Sequence, residues 1–183
     1  RRLSLKTITG KPRLLNQPVK EVQSLIKEVF FLEDKQLSPN SLNKEFVDVD
    51  LQEALLKFEI SSIDAGGIEI RFSNTKDEHL AVGFHKEEGD MFIDRRQAGI
   101  DSFHQGFSKN HTAPFTHWSD SLYLEIFFDR SSVELFVNEG ERVMTDLVFN
   151  TQPYSRLEVK TLSGEALLES LKVYDIKSVW KKK

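Results

Sequence analysis

Hydrophobic and polar residues alternate with a period of two along much of this chain. In "ALLKFEIS", Leu56, Phe58 and Ile60 fall on one face and Lys57 and Glu59 on the other, the pattern of a half-buried strand. "GGIEIRFS" repeats it: Ile68, Ile70 and Phe72 alternate with Glu69 and Arg71, after a Gly66-Gly67 pair suited to a turn. The same pattern predicts strands in "EHLAVGFHKE", "DMFIDRR", "SLYLEIFFDR", "SVELFVNEG", "RVMTDLVF", "RLEVKTL" and "ALLESLKVYDI". Short strands punctuated by Gly, Asn, Asp and Ser predict an all-β sandwich or barrel.

Helix is scarce. The best helical candidate is "PVKEVQSLIKE", with Pro18 in its first turn and Val19, Val22 and Ile26 near helical spacing. It reads equally as an extended linker into a strand around Val29 to Leu32. The longest stretch without clear alternation runs from Ala98 to Ser121, and irregular segments of that length usually carry function or mobility.

Composition narrows the function classes. At 183 residues the chain has the length of one domain, with 39% hydrophobic and 30% charged residues and a formal net charge of -4. Lysine and arginine are dispersed, and the one dense cluster, Lys181 to Lys183, reads as a solvated tail, so no nucleic-acid partner is expected. The chain contains no cysteine, which excludes disulfides, thiol catalysis and zinc-thiolate sites. No signal peptide or hydrophobic run near twenty residues is visible, so no membrane partner is expected. The opening "RRLSLKTITG", which lacks methionine, suggests a piece of something longer; periplasmic, extracellular and cytoplasmic settings all stay open.

Two carboxylates, Asp129 and Glu134, stand five positions apart on an expected hairpin whose connection is "DRSS". Asp129 is suited to cap that turn through its side chain, and Glu134 points opposite to Val133 and Leu135. A glycosidase needs two carboxyls about 5 to 10 Å apart inside a pocket, and spacing alone supplies no pocket. The histidines His79, His85, His104, His111 and His117 lack zinc-protease spacing, and neither a phosphate loop nor a nucleophile elbow occurs. No metal or other cofactor is expected.

Four stretches taken together resemble glycoside hydrolase family 32, the levanases, inulinases and invertases. "FFDRSSVELFVNEGERVMTDLVF" is similar to that family's late hairpin. "FIDRRQAG" resembles its Asp-Arg strand, matching at Asp94, Arg95 and Gly99. "KPRLLNQPVKEVQSL" resembles the connector that follows the catalytic propeller, and "LKVYDIKSVW" the usual final strand. The resemblance implies a β-sandwich of two antiparallel sheets, a lectin-like jelly roll of the concanavalin A kind. On this reading residues 1–25 are a propeller remnant and linker, and residues 26–183 are the carboxy-terminal sandwich. The family's Asn-Asp-Pro-Asn and Glu-Cys motifs are absent, and "IDRR" lacks the proline of the catalytic Arg-Asp-Pro. The resemblance therefore implies no catalytic residue in this chain, and the parent reaction would be hydrolysis of a β-fructofuranosyl bond.

Three roles follow. As a scaffold, the sandwich braces an amino-terminal propeller of the same polypeptide and can form a homodimer interface; Asp94, Arg95, Asp129, Arg130 and Glu134 would then build a charge network between strands. As a carbohydrate-binding module, it holds levan or inulin oligosaccharides. Phe103, Phe107, Phe115 and Trp118 would offer ring faces, and His104, Asn110, His111 and His117 would bond hydroxyls. As an enzyme in its own right it would need Asp94, Asp129 or Glu134 in a cleft with a raised pKa.

Overall fold

The computed structural model describes residues 1–8, 10–40, 42–45, 50–115 and 120–178. Among the described residues twelve strands appear: β1 (Arg2–Ile8), β2 (Lys11–Gln17), β3 (Ile26–Leu37), β4 (Leu42–Glu45), β5 (Ala54–Ser73), β6 (His79–His85), β7 (Asp90–Gln97), β8 (Asn110–Pro114), β9 (Ser121–Asp129), β10 (Ser132–Val137), β11 (Arg142–Leu147) and β12 (Arg156–Ile176). All pairings are antiparallel.

Two of these strands, β5 and β12, organise the rest. The first half of β5 pairs with β9, and the last half of β12 lies between it and β3, which gives one layer in the order β11-β10-β9-β5-β12-β3. The second half of β5 pairs with β6, and the first half of β12 lies between it and β4, which gives the other layer, β8-β7-β6-β5-β12-β4. Both long strands pass from one layer into the other. The crossing is marked by register shifts between Thr161 and Leu167, and by positive φ at Ser62 and Gly164. The result is the expected sandwich.

The period-two pattern forecasts which residues fill it. Leu56, Phe58, Ile60, Ile68, Ile70 and Phe72 are all buried in the core, with Val82 and Ile93 from one layer and Leu124, Ile126 and Leu135 from the other. Complete burial of a side chain such as Phe58 contributes about 2–3 kcal/mol.

The glycine pair departs from expectation. Gly66 and Gly67 lie inside β5 rather than at a turn, so "ALLKFEIS" and "GGIEIRFS" form one strand. A Cβ on Gly67 would strike the Phe84 carbonyl, and one on Gly66 would strike the Ser163 hydroxyl. Glycine here permits close approach between strands. "RLEVKTL" and "ALLESLKVYDI" likewise merge into β12.

The helical candidate is a single 3₁₀ turn, Lys20–Ser24, and β3 opens at Ile26. Before it, β1 and β2 pair only with each other. This ribbon rests on the β10–β11 end of the first layer: Asn16 N–H donates to the Gly140 carbonyl, and the Arg1 guanidinium donates to Glu134 and Thr145.

Candidate functional site

The segment from Ala98 to Ser121 contains β8, which pairs with β7, so the irregular part is shorter than the sequence implies. Phe115 is buried and tilts against Phe84 at 5.2 Å between centroids; as a core anchor it presents no ring face to a sugar. His104 is exposed, and its Nδ1 accepts from the Gly106 N–H at 3.0 Å, which fixes a local turn. His117 and Trp118 lie outside the described residues.

Nor do the five charged residues of the expected network meet as one group. Asp94 pairs with Arg96 at 2.6 Å, Arg130 pairs with Glu53, and Glu134 pairs with Arg1 at 2.7 Å. The Asp129 side chain ends β9 exposed. Burial alone would raise the Asp94 pKa, but hydrogen bonds and charge from Arg96 outweigh it and hold the carboxyl below its ordinary value. Arg95, its neighbour in β7, points the other way, into the gap between the layers. It is 9% exposed and stands 3.8 Å from Asp146. The guanidinium also donates to the Leu147 carbonyl at 2.9 Å and stacks over Phe107 at 3.9 Å.

His111 reaches the same Asp146 from β8, its Nδ1 lying 2.8 and 2.9 Å from the two carboxylate oxygens. Because an ionised carboxylate only accepts, the ring donates. Arg95 and His111 of one layer thus clasp Asp146 of the other, and Phe107, against which Arg95 stacks, packs with Phe103 and Phe149. This cluster seals one edge of the sandwich. The sequence reading missed Asp146, whose partners lie far away along the chain.

A separate concavity lies on the outer face of the first layer. Alternation within β5 and β9 places Glu59, Tyr123, Glu125 and Phe127 on that face in register, Glu59 opposite Tyr123 and Phe127 opposite Leu55. These four form the floor of a cavity of about 540 Å³, and its wall is the segment from Gln17 to Lys20 with Arg2. A second cavity of about 440 Å³ adjoins it, shares Glu59 and Tyr123, and continues over Ser61 and Asn138 to Glu169. Both volumes fall in the usual range of small-molecule sites, roughly 300–1,000 Å³.

The groove is electrostatically ordered. Glu125 Oε1 accepts from Lys57 Nζ at 2.8 Å and from the Tyr123 hydroxyl at 3.2 Å. Burial, then the charges of Glu125 and Glu59, push the Tyr123 phenol well above its ordinary pKa, so it stays a donor at neutral pH. The Asn138 side chain accepts from the Tyr123 N–H at 3.0 Å, and Ser61 donates to Glu169. No grouping of His, Asp and Glu suited to a metal ion occurs among the described residues.

The family model for "Glycosyl hydrolases family 32 C terminal" matches residues 21–175. The chain belongs to this family. It is 30% identical over 182 residues to a levanase of Bacillus subtilis (strain 168), covering 98% of this chain and 27% of that protein. It is 28% identical to the extracellular exo-inulinase of Aspergillus awamori, covering 98% of this chain and 34% of the relative. The chain therefore spans about a quarter to a third of the length of these relatives. The crystal structure of the Aspergillus awamori exo-inulinase superimposes with a TM-score of 0.84 at 26% identity, over 98% of this chain and 35% of that one. Fructan 1-exohydrolase IIa from Cichorium intybus shares the fold, with a TM-score of 0.75 at 15% identity, over 96% of this chain and 40% of that one.

Proposed function

We propose that this chain is the non-catalytic sandwich of a fructan- or sucrose-hydrolysing enzyme, and that it braces a catalytic propeller carried on the same polypeptide. The observation that carries this reading is the β1–β2 ribbon. Leu3 and Leu5 lie on one face with Leu14 directly opposite Leu5, and they are 61%, 76% and 58% exposed. A two-stranded ribbon is marginal in water by itself, and three leucines on one open face call for a covering surface. The ribbon also precedes Glu21, where the family match begins. It is thus suited to belong with a preceding domain, while Leu15 on the reverse face is buried and the Asn16 backbone and the Arg1 side chain tie the ribbon to the sandwich.

The parent reaction on this reading is hydrolysis of a β-fructofuranosyl bond, its acid and nucleophile residing in the propeller. Asp94, Asp129 and Glu134 serve as surface and turn charges. Two assays test the proposal. The chain alone, incubated with sucrose, inulin and levan, releases no fructose. A Bacillus subtilis levanase whose matching segment is replaced by this chain retains fructose release, whereas the same levanase lacking that segment loses it. Fructose release by the pure chain, or a truncated levanase as active and durable as the chimera, would overturn the proposal.

A further inference from the structure

We infer that the groove across β5 and β9 is an accessory binding site for a neutral oligosaccharide chain; that the sugar is fructose rests on the function proposed above. Three observations converge. The two cavities adjoin and share Glu59 and Tyr123, so the concavity is elongated and suits a chain better than a single ring. The floor carries aromatic surface, Tyr123 and Phe127, beside carboxylates, the pairing that sugars require: apolar ring faces against C–H surface and acceptors for hydroxyl hydrogens. Lys57 and Tyr123 both bond Glu125 through Oε1, so among the described residues Oε2 is the oxygen placed to accept from a ligand hydroxyl.

The charge pattern selects among ligands. Glu59, Glu125, Glu139 and Glu169 border the groove, so a phosphate or another polyanion is repelled. Arg2, Lys20 and Gln17 on the wall supply donors opposite the acceptors of the floor. Hydroxyl groups, which both donate and accept, match that mixture.

Calorimetric titration of the chain with inulin-type and levan-type oligosaccharides, against a glucan oligosaccharide, tests the assignment. Saturable heat for fructans only is expected. Glu59→Gln should weaken binding about tenfold, because a hydrogen bond to a charged acceptor is reduced to a neutral one. Tyr123→Phe keeps the ring and removes only the hydroxyl, and should weaken binding less than Tyr123→Ala. Glu69→Gln, on the opposite layer, should leave binding unchanged; equal unfolding midpoints show that every variant is folded. Absence of binding by the folded chain, binding indifferent to Glu59→Gln and Tyr123→Ala, or equal affinity for the glucan would each overturn the inference. Because the levanase chimera is scored by activity and durability, the bracing role stands or falls separately.

Discussion

Arg95 of β7 and Asp146 of β11 face each other between the two layers of the sandwich at 3.8 Å, both nearly buried, and His111 of β8 approaches the same carboxylate. Removing Arg95 takes one charge partner from the nearly buried Asp146, which keeps His111, and also removes the bond to the Leu147 carbonyl and the stack on Phe107. Arg95→Ala should therefore destabilise by about 3 kcal/mol. Arg95→Lys should recover only part of that loss, since lysine lacks the planar fork that here reaches Leu147 and stacks on Phe107. Urea unfolding midpoints read both effects, and a shift under about 0.5 kcal/mol would show the pair to be solvated.

Glu78 accepts from the Asn74 side chain at 2.7 Å and from the Thr151 N–H and hydroxyl at 2.8 and 2.7 Å, tying the β5–β6 loop to the segment after β11. Burial raises its pKa, but these bonds outweigh burial and hold the carboxyl below the ordinary 4.5, as Arg96 holds Asp94 below 3.8. Depressed native values mean that the unfolded chain takes up protons first. The stability these groups contribute is present above those ordinary values and is lost as pH falls through the native ones. Unfolding free energy should decline in acid below about pH 4.5, and Glu78→Gln should flatten that decline. A Glu78→Gln profile parallel to the native one would contradict this.

Gly164 adopts a φ of 64° where β12 crosses between layers, and a Cβ there would strike the Asp64 carbonyl. Gly164→Ala should cost about 2 kcal/mol or more, visible as a lowered melting temperature. An unchanged midpoint would show that the crossing relaxes freely.

Tyr154 is fully buried, and its hydroxyl donates to the Ala98 carbonyl at 3.2 Å. Tyr154→Phe leaves that carbonyl without this donor and should cost about 1 kcal/mol, measured in the same urea titration.

Legibility in the sequence followed the range of the interactions. Leu56, Phe58 and Ile60 were readable as core because a strand's alternation is local. Gly66-Gly67 misled because glycine marks both turns and close strand approaches, and only the position of Phe84 distinguishes them. The partners of Arg95 were hidden for a related reason: Asp146 and Leu147 lie on a strand of the other layer, reached only through the register of the whole sheet. The groove left a fainter signal. Lys57 and Glu59 alternate in β5, as Tyr123 and Glu125 do in β9, but their juxtaposition required knowing that these two strands pair.

The exposed face of the β1–β2 ribbon provides the most direct test of the bracing role. In the chain alone, Leu5→Ser with Leu14→Ser should change stability by only about 0.5 kcal/mol, since both side chains are exposed. The decisive measurement is the thermal inactivation rate of the levanase chimera with and without these substitutions. Bracing predicts that the unsubstituted chimera outlasts both the truncated levanase and the doubly substituted chimera. Equal half-lives for the two chimeras, at equal stability of the isolated chains, would contradict it.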